Sequence, residues 1–394
     1  MKTKRMIALV LCAVMTLLAL ASCSDSAGIN DYNWEPDVIV QLEFDLYIIT
    51  ESPSGEEATG AMKTVNSKIN QYIDEKYNTT LNIHYLSAEN YDGTISELVS
   101  GSKISSMSSS VISPAGRQNA GSIILINSDE MHDYLVAENK LVDLKPFLET
   151  KSFGTLNIQI TSTLLEAAGV TDDNGSHLYC IPNDHPIGYY EYTVINREIA
   201  EGMLNFSAQT ELLEMHILDG VANDEAQELI NAVNENLALL GVSSASDVIR
   251  TEKGDYAEKA RLESLGYICN VTKYPEATAE DAFSSAFGIL KCEDIYYNGK
   301  LLISASDCET RAMEIIYAIN ADTTVRNLLQ YGVENTHYIL QGDNYVLPTE
   351  NNAYFMNPLY TGDMFNMYYG ENWTENMAQN GEKQNKESIV LKAE

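Results

Sequence analysis

VIVQLEFDLYIITESPSGEEATGAMKTVNSKINQYIDEKYNTTLNIHYL, residues 38–86, carries the pattern that decides the fold. Residues 38–49 are mostly β-branched and apolar, which suits a buried strand, and the run Glu51-Ser52-Pro53-Ser54-Gly55 that follows has loop chemistry. Met62, Val65, Ile69, Tyr72 and Ile73 then recur at three- and four-residue intervals, the spacing that gathers apolar groups on one helical stripe. Leu81, Ile83 and Tyr85 alternate with Asn82 and His84, so residues 80–86 predict a strand with one buried face. A helix of that length between two strands suits parallel pairing and a right-handed crossover.

Working outward, residues 101–121 are Ser-rich with Pro114 and Gly116, hold little apolar surface to bury, and are expected to form a mobile insertion. The continuous run Ile123-Ile124-Leu125-Ile126 predicts a central strand covered on both faces. Residues 129–148 read as one or two helices. Asp172-Asp173-Asn174-Gly175 is a hairpin signal leading into a strand at 177–182, with another at 190–196. That acidic turn lacks the further ligands and distal Glu of a calcium loop, so no metal is expected. A helical stripe follows at Ala226, Leu229, Ile230, Val233, Leu237 and Leu240, stopped by Gly241. Strands are expected at 267–273, 287–291 and 301–304. Asp307 is expected to cap a helix carrying Ala312, Ile315, Ile316 and Ile319. Asp322 should cap another carrying Val325, Leu328 and Leu329, ended by Gly332. Residues 338–347 read as a hairpin turning at Gly342-Asp343-Asn344.

At the other end, Lys2, Lys4 and Arg5 precede an apolar run at residues 6–20 that closes in Leu20-Ala21-Ser22-Cys23. Basic residues, a short apolar run and small residues before a cut make a secretion signal. The tetrapeptide resembles the bacterial lipobox, which implies cleavage before Cys23, a diacylglyceryl group on its sulfur and an acyl chain on the new amine. Several chains at about 0.8 kcal/mol per buried methylene make such an anchor permanent. The expected location is the outer face of the cell membrane. Residues 1–22 are thus read as the signal and 23–37, polar and acidic, as a tether.

The whole chain of 394 residues carries 57 acidic against 24 basic side chains, a formal charge of −33. A surface this acidic repels phosphate and so argues against nucleic acid; it serves solubility and can also attract a cationic solute. Cys180, Cys269, Cys292 and Cys308 have no metal-ligand spacing; they either pair in an oxidising exterior or stay as buried small hydrophobes.

Residues 311–340, RAMEIIYAINADTTVRNLLQYGVENTHYIL, resemble the C-terminal signature of extracellular solute-binding proteins of carbohydrate ABC importers. There a helix pair ending in an LLxYG corner precedes an HY strand. Residues 72–127 and 178–197 (LYCIPNDHPIGYYEYTVINR) are similar to that family's first lobe and first interlobe crossing. The chain departs from the pattern in its Ser-rich insertion before Ile123 and in Glu334-Asn335-Thr336 after Gly332. The resemblance implies an α/β, two-lobe periplasmic-binding-protein-like fold (type II) with an interlobe cleft and hinge. Lobe one would take 38–188 plus 305–349 and lobe two 189–304 plus 350–394. It further implies a monomer that captures a sugar or oligosaccharide without cofactor and passes it to permease subunits in the membrane.

Sugar recognition needs aromatic faces for stacking and planar side chains for forked hydrogen bonds. Expected aromatic ligands are Tyr189 and Tyr190 at the crossing and Tyr360, Tyr368, Tyr369 and Trp373 in the tail. Trp373 is favoured because its Gly-Glu-Asn context is polar. Polar ligands are expected on loops after strands: Glu51 and Ser52, Asn127 and Ser128, Asn183 and Asp184. Rival readings are a surface enzyme acting on carbohydrate, a receptor for a cationic or peptide solute, and a purely structural lipoprotein. Ser100-Gly101-Ser102-Lys103 matches S-x-x-K without its K-T-G partner, no other catalytic motif is present and the six His do not cluster, so no enzyme is expected.

Overall fold

Phe44, Leu46 and Ile48 face one side of the first strand and Asp45, Tyr47 and Ile49 the other, and all six are buried. That two-sided burial marks an interior strand of a covered sheet. The computed structural model describes residues 41–52, 54–100, 117–197, 249–297 and 299–391. The signal, Cys23, the tether, residues 101–116 of the Ser-rich stretch and the 226–240 stripe lie outside the described residues.

Strand β1 (Gln41–Ile49) leads through helix α1 (Glu56–Tyr77) to β2 (Thr79–Leu86), and the two strands pair in parallel as expected. Helix α1 buries Val65, Ile69 and Ile73 and ends at Asn78 in the left-handed region, where a short polar residue is tolerated. Helix α2 (Ala88–Val99) and β3 (Arg117–Ile126) complete a second parallel crossover. The main sheet runs β2-β1-β3-β11-β6, with β6 (Ile181–Pro182) and β11 (Ala286–Ile289). Ile123 to Ile126 are fully buried in its middle. Residues 117–121 belong to β3 rather than to an insertion, because their backbone pairs with residues 41–44 of β1.

Helix α3 (Asp129–Ala137) follows β3, capped by the Ser128 hydroxyl. The hairpin β4 (Gly169–Asp172) and β5 (Gly175–Leu178) turns at the expected acidic corner. The single strand expected at 177–182 is divided between β5 and β6, in different sheets; the apolar run through Tyr179 and Cys180 hides the change.

A separate sheet of order β8-β7-β9 is wholly antiparallel, formed by β7 (Tyr190–Asn196), β8 (Ile249–Gly254) and β9 (Tyr267–Lys273). Helix α4 (Tyr256–Ser264) supplies Leu262 to its core of Tyr190, Tyr192 and Val194. The chain then returns through β10 (Glu276–Ala277) and helix α5 (Ala279–Phe283) to β11. Strand β11 pairs with β3 and β6, so residues 286–289 belong to the first sheet and not, as expected, to the second lobe.

Strands β12 (Ile295–Tyr297) and β13 (Lys300–Ile303) precede helix α6 (Ala305–Ala321). Its cap is Ser304, not Asp307; Asp307 lies in the first turn and accepts the Ser304 hydroxyl at 2.6 Å. Asp322 does cap helix α7 (Thr323–Tyr331) and also receives Lys76 at 2.6 Å and Tyr72 at 2.8 Å, tying α7 to α1. Gly332 ends α7 at φ 79°, and a Cβ there would sit 2.5 Å from the His337 ring. The hairpin of β14 (Tyr338–Gln341) and β15 (Tyr345–Pro348) follows as expected. Helix α8 (Glu375–Glu387) and β16 (Ile389–Val390), which pairs with β10, close the described chain.

Cys180 and Cys308 are buried, Cys269 and Cys292 are half-buried, and all four are free thiols. No described helix is long and apolar enough to cross a membrane.

Candidate functional site

Parallel pairing sends the carboxyl ends of β1, β2 and β3 to one edge of the main sheet. The crossings to the second sheet use the same edge, because Ala286 at the start of β11 pairs with Ile126 at the end of β3 and with Pro182 at the end of β6. This is the edge at which ligands collect in open α/β sheets.

Glu51 and Ser52 leave β1 there, and residues 354–360 lie across them. The Ser52 hydroxyl donates to the Phe355 carbonyl at 3.1 Å and accepts the Phe355 N–H at 2.8 Å, while the Glu51 N–H reaches the same carbonyl at 3.2 Å. Asn357 donates from Nδ2 to Glu51 Oε1 at 3.0 Å. Tyr360 is half-buried close by; burial first, then the Glu51 charge, pushes its phenol up. An exposed carboxylate, an amide and a phenol that stays protonated make a cluster able both to donate and to accept.

Asn127 leaves β3 at the same edge and donates to Asp92 Oδ1 at 3.1 Å; its own side-chain oxygen is buried without a hydrogen-bond partner among the described residues. Asn183 behaves likewise at the end of β6: Nδ2 donates to Ser285 at 2.9 Å and to the Leu359 carbonyl at 2.8 Å, and Oδ1 has no partner among the described residues. The Ser285 hydroxyl also donates to Leu359. Asn127 and Asn183 thus keep an unused acceptor at the expected edge. A buried acceptor without a donor costs on the order of 1–3 kcal/mol, and Asn183 is fully buried, so its oxygen is not open to a guest in this arrangement.

Other expected ligands have structural work. Ser128 is a helix cap, accepting Met131 N–H at 3.2 Å. Asp184 is buried and accepts Thr161 N–H and Oγ1 at 2.7 and 3.0 Å and Asn385 Nδ2 at 3.2 Å. Tyr190 lies in the core of the second sheet, its hydroxyl on Glu387 at 2.9 Å. Tyr189 is 57% exposed beneath the Lys253 ammonium, 5.5 Å from its ring. Tyr368 and Tyr369 are pinned by their backbones, Tyr368 to Asn327 and Tyr369 to the β14–β15 hairpin.

Trp373 is the clearest correction. It is 6% exposed, packed against Phe365 with centroids 5.8 Å apart in a cluster with Met367 and Ala378. Gly370 N–H and the Trp373 carbonyl close a turn that leaves the polar neighbours outside and folds the ring inward. A polar local sequence therefore does not hold an indole in water.

Asn357, Asp92, Ser285 and Arg326 escaped the sequence reading, although Asn357-Pro358 is a turn signal. Arg326 of α7 is fully buried and organises the tail. Its Nε donates to the Asp363 carbonyl at 2.7 Å, and its two terminal nitrogens reach Thr361 Oγ1 at 2.7 Å and the Pro358 carbonyl at 3.1 Å. Burial lowers its pKa to about 10, which leaves it cationic at neutral pH. The tail from 354 to 367 is thus tied to α7 beside the first sheet, while its Phe365 and Met367 also pack with Trp373 and Ala378.

A separate groove of about 730 Å³, lined by residues including His132, Lys145, Glu149, His177, Phe283 and Leu391, contains none of the expected ligands.

No protein-family model matches the chain, and no curated protein matches it in sequence. Among solved structures, the N-glycan transport solute binding protein NgtS from Streptococcus pneumoniae is similar over 88% of this chain and 83% of that one, with 15% identity and a TM-score of 0.50. The same protein in complex with Man1GlcNAc gives 14% identity, 89% and 84% coverage and a TM-score of 0.49. Extracellular solute-binding protein family 1 from Alicyclobacillus acidocaldarius subsp. acidocaldarius DSM 446 gives 11%, 90% and 87%, and 0.38. The likeness to NgtS shows that this chain has the two-lobe α/β fold of that solute-binding protein.

Proposed function

We propose that this protein is a lipid-anchored receptor on the outer face of a bacterial membrane, held there by Cys23, that captures a sugar or oligosaccharide and hands it unchanged to the permease subunits of an ABC importer. The observation that carries the reading is the cluster at the carboxyl edge of the main sheet. Glu51, Asn357 and Tyr360 converge at the edge where Asn127 and Asn183 also end their strands. Hydroxyl-rich guests supply many donors and acceptors on a compact body, and this set matches both. The fold supports the reading through a neighbour described as an N-glycan transport protein. No catalytic role is assigned to any residue.

In this reading the first lobe takes the described residues of 41–182 and 286–367, and the second those of 190–273 with α8. The monomer closes by hinge bending between them.

Thermal-shift measurements against sugars, peptides, polyamines and phosphorylated compounds test the proposal. A sugar or oligosaccharide is expected to raise the melting temperature and to be recovered intact. New products in the incubation would favour an enzyme, and a flat response to every compound would rule out a small-molecule receptor.

A further inference from the structure

Gln384 and Asn385 near the end of α8 are both buried and polar, yet neither lies at the sheet edge where the solute is placed. Their amides are spent on the chain between the two sheets. Gln384 Nε2 donates to the Ile187 and Gly188 carbonyls, both at 2.8 Å, and Oε1 accepts the Tyr256 N–H at the start of α4, also at 2.8 Å. Asn385 Oδ1 accepts the Ile187 N–H at 3.0 Å. Its Nδ2 donates to Thr161 Oγ1 at 3.0 Å, to Asp184 Oδ1 at 3.2 Å and to the His185 carbonyl at 2.8 Å.

These partners belong to three bodies. Thr161 is in the layer around the main sheet, Tyr256 opens the helix that packs on the second sheet, and residues 184–188 are the first crossing between them. The backbone is fitted to the same junction. Gly188 has φ +60°, and a Cβ there would lie 2.8 Å from the Glu276 nitrogen on the second crossing. At Gly381, one turn before Gln384, a Cβ would lie 2.8 Å from Pro186 Cγ. Both crossings and α8 therefore meet with no room for a side chain, and the two amides close the junction. An extended crossing strand satisfies few of its own backbone groups, so side-chain amides that bond Ile187 N–H, Ile187 C=O and Gly188 C=O fix its path.

We propose that Gln384 and Asn385 act as a latch that sets the angle between the two lobes, and so are positioning residues for solute capture rather than contacts to the solute. The inference rests on the two-lobe receptor reading, but its first test needs no solute. In the full chain, spin labels are attached through azide-bearing residues at exposed positions 63 on α1 and 265 beside α4, and the interlobe distance distribution is measured. Asn385→Leu and Gln384→Met keep the approximate shape and remove the hydrogen bonds; two separate variants guard against one that fails to fold. Each is expected to broaden the distribution relative to the parent. Phe44→Leu, which loosens the main-sheet core far from the junction, serves as the control: it lowers the melting temperature and leaves the distribution unchanged. Once a solute is found, each latch variant is expected to shift its affinity by about three- to ten-fold, since apparent affinity scales with the fraction of molecules holding the competent angle. Folded latch variants whose distance distributions match the parent would overturn the latch whatever the solute. Absence of any solute with a broadened distribution would overturn the receptor reading and leave the latch standing.

Discussion

The main sheet and the junction between the sheets are stabilised in opposite ways. In the sheet, Phe44, Leu46, Ile48 and Ile123 to Ile126 are buried among apolar neighbours, and the buried Asp45 is enclosed by His84, Asn82 and Asn119, each at 2.7 Å. Burial works against the Asp45 charge, but those hydrogen bonds prevail and hold its pKa below the usual range. At the junction Asp184, Asp363, Arg326, Gln384 and Asn385 are all buried, and burial prevails over hydrogen bonding. It lifts Asp184 to about 6; burial and then the Asp184 charge lift Asp363 to about 8. The contrast sets a core fixed by apolar area beside a junction fixed by polar geometry.

The largest effects should come from breaking each region at its centre. Phe44→Ala is expected to lose about 3–5 kcal/mol in urea unfolding through the cavity it leaves. Arg326→Ala should cost on the order of 3–5 kcal/mol, because the Asp363 and Pro358 carbonyls and the Thr361 hydroxyl then lose their buried donor. The two should differ in pH dependence: Arg326 favours ionised Asp363, so the Arg326→Ala loss should grow as pH rises through about 8, while the Phe44→Ala deficit stays unchanged. Parallel pH curves for the two variants would refute the distinction.

Gly188→Ala should follow at about 1–3 kcal/mol, from a left-handed backbone and a Cβ pressed on Glu276. The same change at Gly60 of α1, where a Cβ meets nothing, should be neutral or slightly stabilising.

A smaller effect is expected from pH in the parent protein. Asp184 and Asp363 bind protons more tightly folded than unfolded, so their contribution to stability falls as pH rises from about 4 through their raised values of about 6 and 8. Asp45 and Asp322 are shifted the other way, and their contribution is lost as pH falls below the ordinary carboxylate range. The melting temperature should therefore be higher near pH 5 than near pH 8, and should drop again in stronger acid. A melting temperature that rises steadily from pH 5 to 8 would contradict the junction's protonation. The smallest effect belongs to the exposed Lys259–Glu263 pair, where Lys259→Ala should change stability by no more than about 0.5 kcal/mol.

The same contrast explains what was legible in the sequence. The β1-α1-β2 unit, the central β3 strand and the Asp322 cap are written in periodicity and capping chemistry, which act over a few residues. Glu51, Asn127 and Asn183 were placed correctly at strand ends because a strand's end is a local feature. The partners that give them meaning were not local: Asn357 lies 306 residues from Glu51, and Asn385 lies 201 from Asp184. Trp373 was misread because its neighbours in sequence are polar while its neighbours in space are Phe365 and Met367. That β11 pairs within the main sheet is not legible, because four apolar residues fit either sheet equally well and only register decides.

Small-angle X-ray scattering, with and without the most stabilising solute, tests the central claim most directly. Closure of two lobes on an intact guest predicts a smaller radius of gyration on binding and return to the original value when the unaltered solute is dialysed away. An identical scattering profile at saturating solute would contradict it.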